Sequence, residues 1–135
     1  MYLPGEAGQP GALVLRESAS RNVIIEELLH LEQHRILGFR ELSTADILRL
    51  ENEAQEALLK YAKASNWTDD EIKLIEENQQ YWKKEQARVD SDANYAVEFE
   101  SRMKGLKNIE NYSRDYKEIE IIDKNGSPVL SLIHI

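Results

Sequence analysis

The chain has 135 residues, 41% of them hydrophobic, which is enough for one domain around one packed core and favours folding over disorder. Its 17 basic and 25 acidic residues give a formal charge of −8. That balance repels phosphate backbones, and no Lys/Arg cluster with interleaved aromatics offsets it, so nucleic acid is not an expected partner. It has no cysteine, which excludes disulfides, thiolate zinc sites and cysteine nucleophiles. No apolar run approaches the ~20 residues a membrane span requires.

Residues 1–11, "MYLPGEAGQPG", hold two of the three prolines and three of the six glycines. They read as a loop, a linker from something longer, and lack the basic and apolar segments of a signal peptide. The single domain is expected over 12–135. It opens with "ALVLR" (12–16), a short apolar run that predicts a strand, followed by the polar capping residues "ESASRN". A helix is expected from Arg21 to Leu37, with Gly38 as its stop.

"STAD" (43–46) fits a capping box in its acidic variant. The helix it opens should run to Ala64, burying Ile47, Leu50, Ala54, Leu58 and Tyr61. Thr68 with Glu71 three residues on predicts the start of a third helix, largely exposed through "EENQQYWKKEQAR". "VDSDAN" reads as a break, after which Tyr95, Val97, Phe99 and Met103 could anchor a further helix. The end, "YKEIEIIDKNGSPVLSLIHI", has two β-rich runs around Asn125-Gly126, a dipeptide favoured in tight hairpins. The expected architecture is α+β: three or four helices with a small antiparallel sheet made of the N-terminal strand and the C-terminal hairpin.

The chemistry concentrates in "IIEELLHLEQHR" (24–35), which carries two of the three histidines. At about 100° per residue, Glu26, His30 and His34 stack along one side at i, i+4, i+8, with Glu27 beside the row. A carboxylate and a histidine at that spacing, or two histidines, can hold one Zn²⁺, and an adjacent glutamate can take a proton from water. Two frames stay open. Glu26-Glu27-Leu28-Leu29-His30 matches the zinc-peptidase pattern His-Glu-x-x-His with glutamate in the first position. The frame 30–34 has both histidines but puts Leu31 where the base belongs. The apolar run "VIIEELL" suggests burial, where a carboxylate needs a partner. "LENEAQEALLKY" offers Glu53 as a third ligand, against a surface salt bridge from Glu53 to Arg49. The plain alternative for Glu26 and His30 is an ordinary surface pair on a half-buried helix.

"GEAGQPGALVLRESASRNVIIEELLHLEQHR" followed by "ENEAQEALLKYAKASNWTDDEI" resembles the zincin-like metallopeptidase toxin domains found at the C-termini of bacterial polymorphic toxins. The resemblance covers about residues 4–82. It rests on the Pro/Gly lead-in with "LVLRE", the "EELLH" helix with Gln33, and the "ENEAQ" helix. It implies a zincin-like fold and a tail secreted or delivered into a target bacterial cell as part of a larger protein. A protein substrate and a cognate immunity protein would be its partners. By the same analogy, zinc would be held by Glu26, His30 and Glu53, with Glu27 as general base and His34 as the substitute ligand. The departure from that pattern is Glu26, which stands where the motif has histidine.

In the enzyme reading, the strand "ALVLR" could align an extended substrate from a sheet edge, and Tyr61, Tyr95, Tyr112, Tyr116 or Arg16 could stabilise an oxyanion. His134 lies in a strand-like run and more simply decorates an edge. The main alternative is a non-catalytic protein-binding module with a degenerate zincin-like fold, in which Glu26, Glu27 and His30 only hold the helix in place. A di-iron reading of Glu27-x-x-His30 lacks a second Glu-x-x-His. A serine hydrolase lacks a glycine-flanked nucleophile turn.

Overall fold

A computed structural model describes residues 2–3, 8, 11–15, 18–106, 117–122 and 128–134. The chain is α+β. It runs β1 (Tyr2–Leu3), β2 (Ala12–Leu15), α1 (Arg21–Ile36), α2 (Thr44–Ala64), α3 (Asp69–Ser91), α4 (Ala93–Leu106), β3 (Lys117–Ile122) and β4 (Pro128–His134). Although the sequence reads as one domain, the chain divides into two compact units. One is Met1–Leu42 with Lys107–Ile135, and the other is Ser43–Leu106. Among the described residues no helix is long and apolar enough to cross a membrane.

The first unit holds a four-stranded sheet of order β1-β2-β4-β3. β3 and β4 pair antiparallel, as the hairpin reading expects, with an irregularity between Ile121 and Ile122. The Asn125-Gly126 turn lies outside the described residues. Three features differ from expectation. Tyr2 and Leu3, in the stretch read as linker, form a strand antiparallel to β2. β2 pairs with β4 in parallel, Leu13 opposite Leu132 and Leu15 opposite His134, so the sheet is mixed rather than antiparallel. β2 is therefore an interior strand, and the proposal that it aligns substrate from an edge is corrected. A parallel pair needs a long crossover, and the chain between Leu15 and Pro128 supplies it.

Tyr2 and Leu13 form the buried cluster of this unit, with Leu15 and Leu31 packed against it. α1 ends as expected at Gly38, which takes the left-handed φ of 69°. Gly38 N–H donates to the Arg35 carbonyl and Phe39 N–H to the His34 carbonyl, both at 2.9 Å, the paired bonds of a Schellman stop. The burial of α1 is unlike its apolar pattern. Asn22 and His34 are its buried residues, whereas Val23, Leu28 and Ile36 are exposed.

The second unit is helical. Ser43 and Asp46 make the expected capping box at α2, and Thr68 and Glu71 make the one at α3. α2 buries Leu48, Leu50, Ala54, Gln55, Leu58 and Ala62. The expected stripe was a residue off at both ends: Ile47 is half-buried and Tyr61 exposed. Of the 23 residues of α3 only Ile75 is buried, consistent with its polar sequence. The break falls at Asp92, whose Oδ1 accepts from the N–H groups of Asn94 (3.0 Å) and Tyr95 (3.1 Å). α4 then packs Tyr95 and Phe99 with Leu48, flanked by Trp82, Val89 and Met103, while Val97 faces out.

Candidate metal centre

α1 has no proline or glycine between Arg21 and Ile36, so its helical ladder is unbroken and the i, i+4 geometry holds throughout. Glu26 and His30 meet as that spacing predicts. Glu26 Oε1 lies 3.9 Å from His30 Nε2, and both side chains are largely shielded, at 16% and 12% exposure. The other ring nitrogen, Nδ1, lies 2.9 Å from Gln33 Oε1. A separation of 3.9 Å is too long for a direct hydrogen bond. It is close to the ~3.3 Å between two ligands on a tetrahedral zinc with bonds of about 2.0–2.1 Å. Two shielded donors of the right chemical kind, half an ångström or so (~0.5 Å) wider than that spacing, suit a small divalent ion with little movement.

Glu27 is half-buried beside this pair, and its Oε2 accepts the backbone N–H of Tyr2. The carboxylate read as a general base thus also fastens β1 to α1. One oxygen is oriented by that bond, as a positioned base requires. Glu32 belongs elsewhere. It forms an exposed pair with Arg35, and the hydrogen bond from that guanidinium, more than its charge, holds the Glu32 carboxyl below the usual carboxylate range.

His34 is fully buried and both of its ring nitrogens are engaged. Nδ1 is 2.6 Å from the Tyr2 hydroxyl and Nε2 is 2.9 Å from the Arg40 carbonyl. A carbonyl only accepts, so Nε2 carries the proton and Nδ1 accepts from the phenol. Gly11 N–H in turn donates to the Tyr2 oxygen at 3.2 Å. The rings of Tyr2 and Phe39 meet the imidazole edge-on at 5.6 and 5.2 Å. His34 as a substitute ligand is therefore corrected: it is a core histidine with no lone pair left for a metal. Burial also pushes the Tyr2 phenol up to about 12, against a smaller lowering by the Gly11 amide.

Glu53 is exposed on α2 and pairs with Arg49 at 3.6 Å, the surface arrangement weighed against its role as a ligand. It borders an open groove between α2 and α3 that Gln79 and Lys83 also line. Tyr61 is exposed, with its ring edge-on to Trp67. The Tyr95 hydroxyl donates to Glu85, which also accepts from Arg102 at 3.2 Å, so this phenol ties α3 to α4 instead of facing a site. Arg16, Tyr112, Tyr116 and the side chain of His134 lie outside the described residues. Sequence reasoning missed Tyr2, because a residue in a Pro/Gly lead-in carries no periodic signal. It also gave Gln33 no chemical role, although the i, i+3 spacing from His30 was there to be read.

Comparison with protein-family models, with characterised proteins and with solved structures gives no match.

Proposed function

We propose that this chain is a divalent-metal-dependent hydrolase of zincin-like type, with Glu26 and His30 as ligands, Glu27 as general base and peptide bonds as the substrate class. The toxin part of the proposal, a delivered domain checked by an immunity protein, rests on the sequence resemblance alone. The observation that supports a metal reading is the Glu26–His30 pair: a carboxylate and an imidazole on one helix face, shielded from water, 3.9 Å apart. A divalent ion held there would supply Lewis acidity. This chain's own residues would supply the rest. His30 and Glu26 would fix the position of the reacting centre, and Glu27, oriented by its bond to the Tyr2 amide, would accept a proton from the attacking water. Glu53, exposed and paired with Arg49 in the other compact unit, is not carried into the proposal.

A second reading is favoured by one observation. Glu27 already accepts the Tyr2 amide, which suits a binding module where the acidic residues of α1 only fasten β1. Metal stoichiometry of protein purified without chelator or histidine tag separates the two. The metalloenzyme reading expects about one zinc per chain, lost in His30→Ala and in Glu26→Ala. Glu27→Gln should keep the metal and abolish cleavage of a denatured protein substrate or toxicity on expression. Wild-type protein that takes up no zinc ends the enzyme proposal and leaves the binding module.

A further inference from the structure

His30 presents one nitrogen to Gln33 and the other to Glu26, and the chemistry of those partners decides where its proton sits. Gln33 meets Nδ1 through its Oε1, at 2.9 Å. An amide oxygen accepts and cannot donate, so Nδ1 must carry the hydrogen. In a neutral imidazole the lone pair then falls on Nε2, the nitrogen that lies 3.9 Å from the Glu26 carboxylate. His34, one turn on, has the opposite tautomer: its Nε2 donates to the Arg40 carbonyl and its Nδ1 accepts from Tyr2. One helix thus holds two histidines in opposite tautomers, His34 set by a backbone carbonyl that can only accept and His30 by the amide oxygen that Gln33 turns toward it.

We infer that Gln33 is the positioning residue of the metal centre: it holds His30 as the Nδ1–H tautomer, so that Nε2 offers its lone pair on the Glu26 side. The inference rests on the metal reading above, while the tautomer half of its test is read without any metal. A ligand histidine that donates its distal N–H to an acceptor has its ring orientation fixed and its donor strength raised, and loss of the acceptor weakens metal binding by about 10–100-fold. Gln33 provides that acceptor from the same helix, one turn along, so it needs no other element to be in register.

The test is a two-bond ¹H–¹⁵N spectrum of the imidazoles in metal-free protein, about two pH units above the usual histidine value of ~6.5, with His30→Ala used to assign the signals. Wild type should show His30 protonated at Nδ1 and bare at Nε2. Gln33→Leu should move it toward the Nε2–H form and weaken zinc binding by about 10–100-fold, with the helical circular dichroism unchanged. Gln33→Glu, which keeps an acceptor in place, should restore both. A wild-type His30 protonated at Nε2 overturns the inference, as does a tautomer or a zinc affinity that Gln33→Leu leaves unchanged. The expected tautomer in a wild type that binds no zinc overturns the metal reading instead and leaves Gln33 as the residue that sets the proton.

Discussion

His30 and His34 are one turn apart on α1, and a single substitution at each should separate their roles. His34→Ala removes a fully buried ring, leaves the Tyr2 hydroxyl and the Arg40 carbonyl without their partner, and opens a cavity. The cost should be roughly 2–4 kcal/mol of stability, read as a drop in the urea midpoint. His30→Ala sits in a shielded but peripheral position and should cost under about 1 kcal/mol while removing the metal. Equal losses of stability from the two would contradict the division. Tyr2 adds a pH dependence. Its phenol titrates near 10 when unfolded and about 12 when folded, so between those values the folded chain binds the proton that the unfolded chain has released. The contribution of this phenol to stability should therefore be constant below about pH 10 and be lost as pH rises toward 12, by on the order of 1–2 kcal/mol once solvent screening is allowed for. Urea titrations at stepped pH should show that slope in wild type and its loss in Tyr2→Phe. The i, i+4 meeting of Glu26 and His30 was legible because it depends on helix geometry alone. The burial of His34 was not, because its partner Tyr2 comes from 32 positions earlier, in a stretch without periodicity.

At the scale of elements, what could be read was what is local. The stops and starts of α1, α2 and α3 follow from Gly38, Ser43 with Asp46, and Thr68 with Glu71, each acting within one turn. The α3–α4 break is of the same kind. Asp92 has extended backbone and its carboxylate accepts two N–H groups of the next helix, which is an N-cap in function. Asp92→Ala should cost about 1 kcal/mol. It should also lower hydrogen-exchange protection first in the opening turn of α4, which carries Tyr95 and, through its hydroxyl, the Glu85–Arg102 contact. Uniform loss of protection across α2, α3 and α4 would instead mean that the three helices open together. Strand placement was only half legible. The alternation of Ile119 and Ile121 with glutamates marked β3, but nothing local says that β2 lies inside the sheet beside β4, or that two residues of the lead-in add a strand outside it.

At the scale of the molecule, chain order and folding unit do not coincide. The first unit is assembled from both ends of the described chain, and its central pairing joins residues 12–15 to residues 131–134. The second unit is one contiguous segment with its own caps and its own buried cluster of Leu48, Tyr95 and Phe99. Closing a loop of more than a hundred residues costs entropy, yet the cost grows only with the logarithm of loop length, and a segment that folds first shortens the flexible part. The contiguous unit should therefore form on local contacts, and the sheet should follow it. Deleting residues 128–135 tests this, because β4 is the partner of both β2 and β3. The shortened chain should keep exchange protection in α2, α3 and α4 and most of its helical circular dichroism, while β2 and α1 lose protection together and zinc binding at Glu26 and His30 weakens with them. Collapse of protection in all four helices would show that the contiguous segment needs the sheet unit in order to fold. Retention of protection in α1 would show that the helix carrying Glu26, Glu27 and His30 does not depend on the β2–β4 pairing that closes the chain.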